Sequence, residues 1–351
     1  MSESSTVPRQ RVPSFVRSDE CSQDDWQYTD THAPQGPRGH KITMVAAVIV
    51  PFFGMVAAII TAWMYGWIGW LHFNVMMALI LLTGTGITVG YHRLLTHKAF
   101  ETYGWMRAFW MIMGALAVQK SPLEWCSVHR RHHSLSDRPG DPHSPHQNGK
   151  GIWNGLKGFW HSHSGWLFTG YLHFTDHNHY VPDLAKDRTA LWVHKYYEVF
   201  WIPFSFALPA IIGGVATQSW SGAGLGLLWG GFARIFIVHH VTWSVNSICH
   251  IFGSQEYDVH DQSKNNFLIA LVGFGEGWHN NHHAFPRSAR QGLKWWQFDL
   301  SWLIIRTMQL LGLAWNVQLP SKRAMANKEI DGPSEEMVPN TDDLEPSSSP
   351  L

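Results

Sequence analysis

The sequence predicts an all-α integral membrane protein in which four transmembrane helices carry a helical cap with a histidine-ligated metal centre. Two runs, residues 42–91 and 199–233, contain no Asp, Glu, Lys or Arg. Each run is too long for one span of about 20 residues and long enough for two. Three clusters of histidine lie at the ends of these runs or beyond them. The runs predict the spans, and the clusters predict the metal centre.

The composition supports a membrane protein and narrows the function. The 351 residues include 23 histidines and 20 tryptophans, and the formal net charge is +0. Tryptophan is favoured at membrane interfaces, and an excess of histidine is typical of metal binding. A neutral chain is not expected to bind nucleic acid. Three scattered cysteines, Cys21, Cys126 and Cys249, are too few for a disulfide framework or a thiolate metal site.

The apolar runs divide at Gly- and Trp-rich turns near residues 66–72 and 218–222. This division predicts spans at about 42–65, 70–91, 199–217 and 222–245, with polar segments at 92–198 and 246–320. We expect one folded domain over residues 41–320. The ends, residues 1–40 and 321–351, are rich in Ser, Pro and charged residues and are expected to be disordered tails.

The positive charges predict the orientation in the membrane. Neither short turn contains Lys or Arg, whereas both polar segments are basic at the opposite ends of the spans. By the positive-inside rule, both termini and both polar segments are expected to be cytoplasmic. Residues 105–119 and 301–315 each contain an Arg and suit interfacial or buried helices. The glycine-rich residues 84–90 superficially suggest a nucleotide loop, but they lie within a span, where close helix packing is the better interpretation.

The histidine clusters have spacings that favour metal coordination. The second and third share the spacing i, i+3, i+4, which places three imidazoles on one helical face and can present them to one locus. In the first, two histidines five residues apart diverge by about 140° on an ideal helix, so a helix end, a kink or two different metals is needed. Eight imidazoles exceed the capacity of one metal, and imidazole suits Fe, Zn, Cu or Ni. The clusters are His92 and His97, then His129, His132 and His133, then His279, His282 and His283.

With these clusters, the chain resembles the membrane fatty-acyl desaturase family from about residue 42 to residue 320, most closely its bacterial and cyanobacterial delta-9 members. Further matching motifs are residues 90–93, 141–143, 275–279 and 246–250. The resemblance implies that two iron ions bind and that dioxygen is the co-substrate. It also implies that His250 is a ninth ligand and that Asn246 reaches one iron through water.

The resemblance further implies that the enzyme introduces a cis double bond, at the delta-9 position, into a saturated acyl chain carried by CoA or by a membrane lipid. Two electrons are needed, and the chain shows no haem, dinucleotide or iron–sulfur motif. We therefore expect a separate ferredoxin or cytochrome-type donor with its reductase. The expected location is the bacterial inner membrane, with the endoplasmic reticulum as the alternative. The expected tunnel-kink residues are Gln119, Trp125 and Thr242, and Arg130, Arg131 and Arg287 are either head-group contacts or surface charges.

Two alternatives remain open from the sequence. Another histidine-box membrane enzyme could hydroxylate an alkane, a sterol or a carotenoid. A metal transporter would place ionisable groups inside the spans, where only Arg234, His239 and His240 are candidates. The sequence leaves open the acyl carrier, the chain length, the exact bond position, the electron donor and the oligomeric state.

Overall fold

The computed structural model describes residues 38–66, 68–168 and 177–330. Of the predicted tails at 1–40 and 321–351, residues 1–37 and 331–351 lie outside the described residues, whereas residues 38–40 already belong to the first helix. The described chain is helical except for one short antiparallel pairing of β1 (Glu101–Thr102) with β2 (Ala314–Trp315). The helices are α1 (Arg38–Tyr65), α2 (Trp70–Thr85), α3 (Gly104–Ala115), α4 (Pro122–Leu135), α5 (Ile152–His163), α6 (His177–Tyr180), α7 (Arg188–Lys195), α8 (Ile202–Thr217), α9 (Trp220–Leu225), α10 (Arg234–Ile251), α11 (Phe267–Val272), α12 (His279–Ala284), α13 (Leu300–Leu310) and α14 (Lys322–Ala326). Three π-helical segments, Gly86–Thr96, Tyr197–Trp201 and Gly226–Ala233, and two 3-10 turns, Gly165–Phe168 and Leu184–Lys186, connect them.

Four helical stretches in the described residues are long and apolar enough to cross a membrane, which confirms the predicted number of spans. They are Val45–Tyr65, Trp70–Thr96, Tyr197–Thr217 and Trp220–Ile251. Large apolar side chains such as Phe53, Trp63 and Trp220 stay exposed on these helices, as expected for surfaces that face lipid. The second and fourth spans run past the predicted ends at 91 and 245, so His92 and His250 lie on continuous helix.

Small residues let the spans approach closely. A Cβ atom on Gly226 would lie 2.2 Å from the carbonyl oxygen of Pro209, and one on Gly213 would lie 2.3 Å from that of Gly222. Backbone contact of this kind is the usual way in which membrane helices pack tightly. The glycine-rich residues 84–90 behave in the same way, because a Cβ on Gly86 would lie 2.4 Å from the backbone of α3. The helix-packing interpretation of that motif is confirmed.

The two polar segments form a helical cap at the ends of the spans that lie away from the tight turns. The expected helices at 105–119 and 301–315 are present as α3 and α13, although both are shorter than predicted. Residues 321–330 differ from the expected disordered tail. The amide of Asp258 donates to the carbonyl of Lys328 at 2.7 Å, and that of Ile330 donates to Glu256 at 3.1 Å. The folded part therefore extends beyond residue 320. Polar composition alone could not reveal this, because it carries no information on backbone pairing.

Candidate metal centre

Nine histidines form two groups, and every potential ligand atom in a group lies within 4.8 Å of the others. The first group joins the end of the second span, α4 and α12, and the second joins the end of the fourth span to the same two helices. The first group is His92, His97, His129, His133 and His282, and the second is His132, His250, His279 and His283. These are the eight histidines of the clusters and His250, so the tertiary structure brings all nine together.

Each i, i+3, i+4 triplet is shared between the two groups. In α4, His129 and His133 lie in the first group and His132 lies in the second. In α12 the sharing is reversed, because His282 alone joins the first group. The expectation that one triplet serves one locus is therefore wrong. The side chains of residues three apart on an α-helix differ in direction by about 60°. This difference is enough for one of them to face a neighbouring locus.

A π-helix solves the problem posed by the first histidine pair. His92 and His97 lie at the end of the π-helical segment Gly86–Thr96, and the amide of His97 donates to the carbonyl of His92 at 3.1 Å. In a π-helix the bond joins residues five apart, so such residues lie one above the other. The two imidazoles thus face the same group, which an ideal α-helix would not allow.

The imidazole nitrogen atoms within each group lie close together. The Nε2 atom of His282 lies 3.0 Å from that of His92 and 2.9 Å from that of His133. The Nε2 atom of His279 lies 3.1 Å from those of His250 and His283. These separations are short enough for the imidazoles of each group to bind one shared metal ion.

Carboxylates fix the orientation of four imidazoles. The Nδ1 atom of His132 donates to Asp141 at 3.0 Å, that of His250 to Asp137 at 2.9 Å, and that of His283 to Asp261 at 2.6 Å. The Nδ1 atom of His92 forms the same contact with Glu276. A neutral imidazole that donates through Nδ1 presents a lone pair at Nε2, which is the form that binds a metal.

The Nε2 lone pairs of these imidazoles lack enough hydrogen-bond donors unless a cation binds them. In the second group, the Nε2 atoms of His250 and His283 both face that of His279 at 3.1 Å; with neutral rings that donate through Nδ1, both can only accept, and His279 can donate one proton from Nε2 at most. The Nε2 atom of His132 is buried and has no hydrogen-bond partner among the described residues. Buried polar atoms are seldom left without partners, so this arrangement fits bound metal.

The protonation of the other imidazoles agrees with this interpretation. Burial, followed by repulsion from neighbouring histidines, holds the pKa values of His97, His129, His133 and His282 well below the ordinary value. The pKa of His279 is lowered for the same two reasons. These side chains are consequently neutral near pH 7, and neutral imidazole is the ligand form.

These carboxylates are functional residues that no motif spacing singles out, although some of them lie close to the histidine clusters in the sequence. Asp137 and Asp141 follow the second cluster by four and eight residues, and Glu276 precedes the third by three. Asp261 has no such signal, because it is 22 residues from its partner His283. Arg93, which is also buried, donates to both Glu276 and Asp299 and so anchors the carboxylate that orients His92.

Two cavities meet beside the first histidine group. One extends between the second and fourth spans, and the other lies between α4, α10 and the start of α1. Four residues line both cavities, namely Trp125, His129, Thr242 and Asn246.

The predicted kink residues lie at this junction. The side-chain amide of Gln119 donates to the hydroxyl of Thr242 at 2.9 Å, and the indole of Trp125 stacks on His129 with ring centroids 5.0 Å apart. Asn246 lies at the same junction, close to the histidines. Its contact with a metal through water stays a prediction.

Two of the three arginines suggested for the head group have hydrogen-bond partners within the cap. Arg130 donates to the carbonyls of residues 95, 96 and 180 and to both carboxylate oxygens of Asp183. Arg131 is buried and donates to the carbonyl of Gly140. Both guanidinium groups therefore connect segments of the cap. A sequence alone cannot distinguish such an internal arginine from one on the surface. Arg287 is exposed, and its contact with a head group stays a prediction.

The ionisable groups within the fourth span have structural partners. Arg234 is buried and donates to the carbonyls of Leu116, Ser205 and Gly230. The Nε2 atom of His239 contacts the carbonyls of residues 117 and 118, and His240 contacts His163 at 2.9 Å. These contacts join the spans to the cap and engage the three ionisable groups that the metal-transporter alternative relied on.

Comparison with known proteins identifies one matching family model and several similar proteins. The family model described as fatty acid desaturase matches residues 66–316. The chain is 41% identical over 284 residues to a hex-5-enoyl-(acyl-carrier protein) acetylenase of Moorena producens, covering 80% of this chain and 87% of that protein. It is 40% identical over 273 residues to an sn-1 stearoyl-lipid 9-desaturase of Anabaena variabilis, covering 78% and 93%. It is 41% identical over 256 residues to delta-9 acyl-lipid desaturase 1 of Arabidopsis thaliana, covering 70% and 75%.

The family model covers most of the chain, including three of the four candidate membrane spans and all nine histidines of the two groups. The chain therefore belongs to the fatty acid desaturase family and is an oxidoreductase that introduces unsaturation into fatty-acyl chains.

Proposed function

We propose that this desaturase introduces a cis double bond at the delta-9 position of a saturated acyl chain, using two iron ions, dioxygen and two electrons. The observation that carries the proposal is the position of the two histidine groups at the junction of two cavities. The names of two similar proteins, a stearoyl-lipid 9-desaturase and a delta-9 acyl-lipid desaturase, support the position of the bond. The acyl chain is carried by a membrane lipid or by CoA.

We propose that the nine histidines hold the two irons, one in each group. The bound irons supply the oxidising chemistry for breaking unactivated C–H bonds, which protein side chains cannot provide. The chain itself contributes orientation. Glu276, Asp137, Asp141 and Asp261 fix the imidazoles from behind, and a rigid ligand set of this kind preserves the positions of the metals.

The two cavities explain how one carbon pair is selected. The acyl chain enters the cavity beside α4 and ends in the cavity between the second and fourth spans, so it bends at the junction. The hydrogen bond from Gln119 to Thr242 and the indole of Trp125 maintain the bend beside His129. Holding the reacting carbons in one place accounts for a large part of catalysis in such reactions.

The electrons come from a separate ferredoxin or cytochrome-type donor and its reductase. An opening in the cap is lined by His97, His133 and His283 and is bordered by Arg138 and Lys328. This opening gives a donor its approach to the metal site. With the positive charges of the cap, it supports a cytoplasmic position for the cap and for both termini, in the inner membrane of a bacterium or in the endoplasmic reticulum.

Expression in a desaturase-deficient bacterial host tests the proposal. Lipids are extracted, and double bonds are located by mass spectrometry, with His129→Ala as the inactive control. We expect new delta-9 cis unsaturation from the wild type only. A hydroxylated product would support the hydroxylase alternative, and a triple bond would indicate acetylenase activity. No new product, despite good expression and a competent electron donor, would refute the proposal.

A further inference from the structure

The cavity between the second and fourth spans has an aromatic side chain in its wall, Phe274. Branched apolar side chains such as Ile80, Ile237 and Val241 form much of its apolar lining. Phe274 follows α11 directly and precedes the motif that carries Glu276 and His279. The third histidine cluster and Phe274 thus belong to one short segment. We call the cavity that Phe274 lines the deep cavity.

The backbone holds the Phe274 ring in place. Phe274 has a φ angle of +59°, in the left-handed region that is costly for a bulky residue, and Gly273 and Gly275 flank it. The carbonyl of Phe274 accepts a hydrogen bond from the amide of Ser301 at 3.0 Å. The hydrogen bond from α13 holds the backbone of Phe274 in this conformation. Its side chain therefore has a defined direction and forms part of the cavity wall.

The ring occupies space that a glycine on the second span leaves free. A Cβ atom on Gly84 would lie 2.2 Å from the edge of the Phe274 ring. Gly84 is eight residues before His92 on a helix that becomes π-helical at Gly86, so it lies roughly 10 Å along the axis, about the reach of the methyl-terminal half of an 18-carbon chain. The ring therefore lies at the depth where the tail of a bound acyl chain would end.

We propose that Phe274, seated against Gly84, sets the length of acyl chain that the enzyme accepts. This inference rests on the proposed function, because it assumes that the deep cavity holds the methyl end of the substrate. The residues at the bend fix the position of the double bond from the carboxyl end, and Phe274 limits the carbons beyond it. Chain length and bond position are then controlled by different residues.

Paired substitutions test the proposal in a desaturase-deficient host supplied with saturated 16-, 18- and 20-carbon fatty acids. Phe274→Ala enlarges the cavity, so the ratio of 20-carbon to 16-carbon monounsaturated products should rise about tenfold. Gly84→Ala pushes the ring into the cavity, so the same ratio should fall by about as much. The matched control is Phe267→Ala, because that ring is on α11 but is half exposed and does not line the cavity. The control should leave the ratio unchanged.

The outcomes separate this inference from the proposed function. Unsaturation by the wild type together with the same product ratio in all variants would overturn the role of Phe274. A uniform loss of all chain lengths would also overturn it, because a purely structural role would produce that result. If Phe274→Ala does not accumulate, Phe274→Leu should give a smaller shift in the same direction, and its failure to do so would count equally against the proposal. No unsaturation by the wild type would refute the proposed function instead.

Discussion

At the scale of single residues, the carboxylates behind the histidines decide how the metal site works. Asp137, Asp141, Asp261 and Glu276 each contact the Nδ1 atom of one imidazole and leave its Nε2 lone pair directed inward. A negative charge behind an imidazole also makes it a stronger ligand. These acids are therefore as much a part of the site as the histidines in front of them.

Substitution of one such acid should weaken metal binding without unfolding the protein. Asp261→Asn keeps the shape of the side chain but removes the charge behind His283, so metal affinity or activity should fall about 10- to 100-fold. Iron per chain, measured on purified protein over a series of chelator concentrations, checks this. The matched control is Asp258→Asn, an exposed acid that borders the same opening in the cap. Equal losses in the two variants would show that the contact with His283 is not the cause.

At the scale of elements, the π-helical end of the second span is the feature that sequence patterns describe least well. Its bonds between residues five apart bring His92 and His97 to one side. The same segment packs backbone to backbone against α3, because a Cβ on Gly86 would meet Met113 and Gly114, and one on Gly90 would meet Trp110. The first histidine pair therefore depends on helix packing within the spans.

Two glycine-to-alanine substitutions should have opposite effects on stability. In Gly86→Ala the new methyl group would lie 2.4 Å from backbone atoms that cannot move cheaply, so we expect a loss of about 3 kcal/mol in the free energy of unfolding. In Gly155→Ala the methyl group meets nothing within 4 Å, and the higher helix propensity of alanine should stabilise α5 by up to about 1 kcal/mol. Thermal unfolding in detergent measures both. An unchanged melting temperature for Gly86→Ala would contradict the close packing.

At the scale of the whole molecule, the metal site joins the two halves of the chain. The first half supplies five histidines, from positions 92 to 133, and the second half supplies four, from positions 250 to 283. The halves also meet through Arg93, which contacts Glu276 and Asp299, and through the pairing of β1 with β2. Bound metal should therefore stabilise the complete assembly.

Metal removal should lower the stability of the whole domain. We expect about two iron ions per chain in purified wild type, since nine imidazoles exceed what one metal can bind. Stripping with a chelator should lower the melting temperature by about 5 °C or more, and added Fe²⁺ should restore it. His282→Ala should lose iron, whereas His163→Ala, whose ring contacts His240 and Ser247, should keep it. A melting temperature that is independent of metal would contradict this prediction.

The sequence by itself determined the number of spans, the eight clustered histidines that could bind metal, and the family. These features depend on local properties, namely long charge-free runs and short spacings, which are visible in one stretch of chain. The tertiary structure alone decided how each triplet is shared, which acids orient which imidazoles, and that Arg130 and Arg131 are internal ties. Asp261 and His283, or Phe274 and Gly84, meet through packing between distant segments, and no local pattern encodes such a meeting.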